Sequence, residues 1–427
     1  MNTCYALATA RGKAGVAVIR VSGDDVARVS SILIGDLPEP HRAAVRRICD
    51  EKHELVDEAL VLYFPKGQSF TGEPTVELQT HGSIAVVDAV LRLLSKIDGF
   101  RPAEPGEFTR RALLNGRLDM TQVEGLADLV EAETEAQRQQ ALRVFTGELS
   151  QKTADWRSSL IRAAALIEAT IDFADEEVPV DVSPEVKELL DHVVKDINTQ
   201  LAGYSAAERI RDGFEVAILG VPNSGKSTLL NAIAQRDAAL VSDVAGTTRD
   251  IIEVRMDLNG LPVTFLDTAG IRDTDDRVEA LGIERALERA KSADIRVFLK
   301  LSNEDLPFEP QDHDLVLKAK SDMSDSTEGV SGKTGAGISD LLNTVSEYLS
   351  QKSSLSGVAT KERHRIALEN AASILDGVLN RMFSDSSDDE LLAEDLRSCL
   401  RVLDVLIGRV DVENVLDEIF ASFCLGK

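Results

Sequence analysis

The segment Gly220-Val221-Pro222-Asn223-Ser224-Gly225-Lys226-Ser227-Thr228 has the residue types and spacing of a phosphate-binding loop. Its glycines would let backbone N–H groups close around an anion, while the helix that follows presents its positive end. Lys226 would reach the outer phosphates of a nucleotide, and the Ser227 hydroxyl would ligate Mg2+. The apolar run 215–219 ahead of it reads as a buried strand and 229–233 behind it as a helix. That is the context the motif requires.

Further pieces follow in the order a GTPase needs. Ser242-Asp243-Val244-Ala245-Gly246-Thr247-Thr248-Arg249-Asp250 offers a threonine hydroxyl to complete a Mg2+ shell and sense the terminal phosphate. Residues 251–258 and 262–266 read as a hairpin around Asn259-Gly260. Asp267-Thr268-Ala269-Gly270 closes the second strand. Asp267 would hold Mg2+ through water, and the Gly270 N–H would sense the terminal phosphate. Ala319-Lys320-Ser321-Asp322 stands where a base-reading Asn-Lys-x-Asp belongs. Asp322 would accept two hydrogen bonds from guanine that adenine cannot donate, which disfavours an ATPase. Lys320 would cover the base, and Ser331-Gly332-Lys333 would close over it. Ala319 in place of Asn removes one polar contact, so weaker affinity with retained guanine preference is expected. Ile271 cannot orient a water as a glutamine would. Glu279 is the best local candidate for the catalytic carboxylate.

The chain that positions these residues has 427 of them, enough for two to four domains. Aromatics are 4%, so its core is aliphatic. The net charge of −26 excludes a nucleic-acid binder that relies on a broad basic face. No run of eighteen apolar residues suggests a membrane span, and the N-terminus lacks a signal-peptide pattern. Cys4, Cys49, Cys399 and Cys424 lack zinc-like pairing, which predicts reduced thiols in the cytoplasm. The fold class expected is multidomain. Residues 1–117 alternate strands (15–21, 59–64, 75–79) and helices (24–34 from a Ser22 or Asp24 cap, and 84–94), an α+β domain. Helical spacing then runs from Leu118 to about Phe173, and again from Pro184 to Arg211. An α/β P-loop domain, 212–357, ends in a Ser/Gly-rich linker. The stripe Leu392, Leu396, Leu400, Leu403 and Ile407 returns to helix. The economical architecture is an all-α domain, 118–211 with 358–427, interrupted by the inserted P-loop domain.

Together the segments GVPNSGKST, DVAGTTRD, DTAGIRDTDDRVEALGIERA, GVAVIRVSG, VELQTHGS, AEPGEFTRRALLNGRLDMTQVEGLADL and FCLGK closely resemble the MnmE (TrmE) family of tRNA-modification GTPases. That family is one of the TrmE-Era-EngA-like P-loop GTPases, and the likeness covers the whole chain. The resemblance implies an N-terminal domain that binds 5-formyltetrahydrofolate or a related tetrahydrofolate and forms the homodimer. It implies an FAD-containing MnmG-type partner in a heterotetramer or larger complex. Together they would add an aminomethyl or carboxymethylaminomethyl group to C5 of a tRNA wobble uridine. GTP hydrolysis stimulated by K+ would drive conformational change. Position by position, Arg20, Glu77, Arg117 and Lys427 match folate contacts. Asn223, Ser242, Val244 and Thr247 match the K+ site, Ser227 and Thr248 the Mg2+ ligands, and Glu279 the catalytic glutamate. Cys424 matches a cysteine near the family's C-terminus. The reading kept beside this one is a GTP-gated RNA or ribosome assembly factor, which would share the inner motifs and lack the folate positions.

Overall fold

Alternating burial along six strands builds the first sheet. The strands are β1 (Thr3–Leu7), β2 (Val16–Ser22), β3 (Ala44–Cys49), β4 (Leu55–Phe64), β5 (Thr75–His81) and β6 (Phe100–Pro102). Their order is β3-β4-β5-β2-β1-β6, antiparallel except where β6 joins β1. Ala17, Ile19 and Val21 of β2, with Val76 and Leu78 of β5, face the core. Val18, Arg20, Glu77 and Gln79 face the opposite side. Of the region 24–34, only α1 (Ala27–Val29) is α-helical, and Ser30–Ile34 widens into a π turn. The expected Ser22 or Asp24 cap is not made: the Ser22 hydroxyl is engaged by Thr71 and Thr75 at 2.7 and 3.0 Å, and Val26 occupies the cap position. Helix α2 (Ile84–Ser95) lays Val87, Val90, Leu93 and Leu94 on the inner face, capped by the Ser83 hydroxyl.

The computed structural model describes residues 2–172, 181–235, 253–267, 288–301, 306, 309–323, 329–382, 389–409 and 426. The chain divides into two compact units, Met1–Ala127 with Asp404–Lys427, and Asp128–Leu403. In the first, α3 (Glu107–Leu114) and α4 (Met120–Glu131) follow the sheet. The Met120 N–H donates to the Ile407 carbonyl at 3.3 Å. Gly426 adopts φ +99°, and a Cβ there would collide with the Leu7 carbonyl oxygen, so this glycine is packed against β1.

The helical spacing read from 118 to 173 is realised as α4, α5 (Glu135–Phe145) and α6 (Glu148–Asp172). Thr134 starts α5 with a capping box to Gln137, and Gly147 turns the chain at φ +90°. Helix α7 (Ser183–Asp212) ends at Gly213 and feeds the second sheet. That sheet comprises β7 (Phe214–Gly220), β8 (Glu253–Leu258), β9 (Leu261–Asp267), β10 (Ile295–Lys300) and β11 (Leu315–Lys318), in the order β11-β10-β7-β9-β8. All pairs are parallel except β8 with β9, whose turn at Asn259-Gly260 has φ of +53° and +86° as the hairpin requires. The helices α8 (Lys226–Ala234), α9 (residues 288–292), α10 (Ile338–Ser353), α11 (Glu362–Met382) and α12 (Asp389–Leu406) complete the described elements. The segment 355–357 leaves α10 across Gly203 of α7, where a Cβ would meet the Gly357 nitrogen at 2.5 Å. Among the described residues, no helix is long and apolar enough to cross a membrane.

A buried ion network fastens α3 to the first sheet. The Arg111 guanidinium, 2% exposed, donates to Glu107, Glu73 and the carbonyls of Ser22 and Asn2. Glu107 also accepts from Arg101 and the Glu104 amide. Burial pushes the Glu107 carboxyl up, but Arg101, the Glu104 amide and Arg111 outweigh it and hold it at about 2, against an ordinary 4.5. A depressed carboxylate stabilises the fold above its unfolded value, and that contribution is lost as pH falls. Urea midpoints of the wild type should therefore decline as pH drops from 4.5 towards 2, by a contribution of roughly 3 kcal/mol that Glu107→Gln lacks. Parallel pH profiles for the two proteins would show that the network carries no such linkage.

Candidate functional site

Strand β7 is the middle of the second sheet, with β10 on one side and β9 on the other, so its carboxyl end opens at the point where ligands bind in such sheets. Gly220 ends the strand there. A Cβ on it would lie 2.6 Å from the Leu299 carbonyl oxygen and 2.8 Å from the Ser224 hydroxyl. Asn223 at φ +63° and Gly225 at φ +98° then reverse the chain, and Gly225 becomes the N-cap of α8. Ser224 is buried, and its Oγ has no hydrogen-bond partner among the described residues. Ser227 is half-buried and Thr228 exposed on the first turn.

Lys226 is 6% exposed and folds back, its Nζ donating to the carbonyls of Gly220 at 2.8 Å and Val221 at 3.0 Å. Burial lowers its pKa, and the nearby Asp267 carboxylate opposes that. Asp267 lies buried at the end of β9, in register with Ile218. A lysine, a buried serine hydroxyl, a helix N-terminus and a carboxylate thus meet at one strand end. That donor set fits a phosphate chain, and the hard oxygens of Ser227 and Asp267 suit Mg2+.

The segment expected to read the base is packed against the same helix, α8, through Gly332. Ala319 is buried, bridged to Val330, and its N–H donates to the Lys300 carbonyl at 2.9 Å. Lys320 turns at φ +53° and leaves Asp322 exposed. The Ser331 hydroxyl donates to Asp322 Oδ1 at 2.6 Å and is the main cause holding that carboxyl below its ordinary value. Gly332 seats on α8: a Cβ there would lie 2.5 Å from the Leu229 nitrogen and 2.6 Å from the Thr228 carbonyl carbon. Lys333 is exposed beside it. The Ser331–Asp322 bond was not anticipated from sequence. Its signal is a serine ahead of Gly-Lys, nine residues after the aspartate.

On the open face of the first sheet, Arg20 and Glu77 are cross-strand neighbours joined at 2.9 Å. The Arg20 guanidinium lies 5.6 Å from the Phe70 ring centre and 5.4 Å from that of Phe108. Neither phenylalanine was singled out from sequence, since an aromatic wall is made by residues distant along the chain. Arg117 is exposed, and its Cγ lies 3.2 Å from where a Cβ of Gly72 would sit. Ser242, Asp243, Val244, Ala245, Gly246, Thr247, Thr248, Thr268, Ala269, Gly270, Glu279, Cys424 and Lys427 lie outside the described residues. Cys4, Cys49 and Cys399 are free thiols, and burial pushes Cys4 and Cys399 up to about 12.

A family model described as the MnmE helical domain matches residues 120–424, and one described as GTP-binding protein TrmE N-terminus matches residues 3–117. Proteins named tRNA modification GTPase MnmE from Roseobacter denitrificans and Cereibacter sphaeroides are each 56% identical, over 428 and 430 residues, covering 100% of both chains. The protein of the same name from Paracoccus denitrificans is 48% identical over 430 residues, again covering 100% of both chains. Among solved structures, Era of Aquifex aeolicus bound to GDP·AlF4− is 25% identical with a TM-score of 0.24, over 31% of this chain and 56% of that one.

Removing the Ser331 hydroxyl tests its hold on Asp322. Ser331→Ala should weaken GDP binding several-fold at neutral pH. On acidification, its binding should fail at a higher pH than that of the wild type, because the depressed carboxyl returns towards its ordinary value. Coincident pH profiles in equilibrium dialysis would remove the serine from base recognition.

Proposed function

The chain belongs to the MnmE family of tRNA modification GTPases, and from that premise we propose that it hydrolyses GTP to drive modification of the tRNA wobble uridine. The observation that carries this reading is the meeting of Lys226, Ser224 and Asp267 at the end of β7, with the Ser331–Asp322 pair seated on the same helix. In it, the loop amides and the Lys226 ammonium bind the phosphates and orient the terminal one. Asp322 takes the guanine edge. Glu279 orients the attacking water and receives its proton through water.

Ser227 and Thr248 would hold Mg2+, with Asp267 reaching it through water. Asn223, the carbonyls of Ser242 and Val244, and Thr247 would hold K+. When bound, these ions supply positive charge beside the phosphates where negative charge develops in hydrolysis. The first sheet is read as the folate site. Arg20, Glu77, Arg117 and Lys427 would grip a pterin with an anionic tail, and the partly exposed Phe70 ring beside Arg20 offers it an apolar contact. The domain reading is 1–117 for folate binding and dimer formation, 118–211 with 358–427 as the helical domain, and 212–357 as the inserted GTP-binding domain. The working assembly is a homodimer with an FAD-containing MnmG-type partner in the cytoplasm.

Two measurements test this. At equal ionic strength, hydrolysis should run much faster in KCl than in NaCl, and equal rates would remove K+ from the mechanism. Glu279→Ala should bind GTP as the wild type does yet hardly turn it over. Cells carrying it as their only copy should then lack the wobble modification by nucleoside mass spectrometry. Unchanged wobble uridines in cells without the protein would sink the modification role and leave the GTPase standing.

A further inference from the structure

We propose that residues 1–117 carry a basic ridge that receives the phosphate backbone of the RNA substrate and leads it to the Arg20–Glu77 pair. This rests on the transfer-RNA reading above and adds the surface that does the receiving. Residues 1–117 hold fifteen Lys/Arg and fifteen Asp/Glu, so the whole net charge of −26 belongs to residues 118–427. A polyanion is repelled by the rest of the chain and meets a balanced surface only here.

On that surface exposed cations stand on elements that are tied to one another. Arg110 and Leu114 share the exposed face of α3, four residues apart, and Leu114 is 56% exposed. Arg110 also rims a cleft of about 380 Å³ with Arg101. The end of α3 is pinned to the loop 65–72 by Asn115, whose Nδ2 donates to the Thr71 carbonyl at 2.7 Å, and Arg117 lies against Gly72 of the same loop. The Gly67 N–H donates to the Gly72 carbonyl at 2.8 Å, closing the loop that holds Lys66 exposed. Gln68 meets His41 Nε2 at 2.7 Å, which carries the line on to Arg42.

The acids along this path are Glu104 on the cleft rim, Glu107 in the cleft, which holds Arg101 in a bidentate pair, Glu73, paired with Arg111, and Glu39, which pairs with Arg42 at 3.0 Å, both side chains of that last pair being over 70% exposed. An exposed pair of that kind is weak and gives way to a phosphate. The ridge reaches the proposed folate site directly, because Phe70, the wall of the Arg20–Glu77 pair, belongs to the loop that carries Lys66. A phosphate backbone held on Arg110, Lys66 and Arg42 would bring an extruded base to the one-carbon donor. Spaced cations on a rigid ridge suit RNA phosphates, whose release of counterions makes affinity fall with salt.

The test uses the full chain and an unmodified transfer-RNA transcript, with affinity measured across a range of KCl concentrations. The double variant Lys66→Glu with Arg110→Glu should bind at least about tenfold more weakly at low salt, and its log–log salt slope should be shallower by about 1 for each phosphate it no longer holds. Lys195→Glu, an exposed site on α7, should leave both quantities unchanged. GTP hydrolysis without RNA should match the wild type in every variant. Wild-type affinity and slope in the double variant overturn the ridge, as does an equal weakening in Lys195→Glu. A wild-type chain that binds no transcript at any salt overturns the transfer-RNA reading itself.

Discussion

A buried ammonium at the end of the central strand sets the conditions for the second unit. Taking a lysine out of water costs several kcal/mol unless polar groups replace its hydration. Here the carbonyls of Gly220 and Val221, with Asp267 nearby, do so. Those groups converge only if β7 and β9 are parallel neighbours in the register that sets Ile218 beside Asp267. They also require that no side chain stand at Gly220, where the Leu299 carbonyl approaches. The order of the sheet and the composition of the loop are therefore two aspects of one electrostatic requirement.

The second contact of this kind is Gly332 on the first turn of α8. It packs the loop that carries Ser331 against the first turn of α8, which Lys226 opens. Ala319 lies in the apolar core beside Val330 and contributes packing, with no side-chain polar group to offer. In the proposed function, guanine selection would then fall on the Ser331–Asp322 pair. Behind the loop, α7 runs directly into β7 through Gly213, and the segment leaving α10 crosses back over Gly203.

Much of this was legible in the chain because local chemistry dictates it. The phosphate loop, the Asn259-Gly260 hairpin, the strand ending at Asp267 and the long helix α7 all carry signals within a few residues of themselves. What escaped were features made by partners far apart in sequence. Strands β1, β3 and β6 are short and take their place only by pairing with β2, β4 and β1. The expected helix 24–34 begins later, at Ala27, and passes into a π turn at Ser30, and Ser22 stays in β2 with its hydroxyl on Thr71 and Thr75. The helical stretch read from 118 to 173 is divided into three by the capping box of Thr134 and the turn at Gly147. At the sites, Arg20 and Glu77 came from the family resemblance alone, and the aromatic neighbours Phe70 and Phe108 needed the fold.

The claim on which all else rests is that the Lys226 ammonium grips the phosphates of a guanine nucleotide. Equilibrium dialysis of GTP against Lys226→Ala, with circular dichroism to establish that the variant folds, addresses it most directly. The account predicts a native spectrum and an affinity lower by on the order of 100-fold, as expected when one partner of a desolvated charge pair is removed. A folded variant that retains GTP as tightly as the wild type would contradict it.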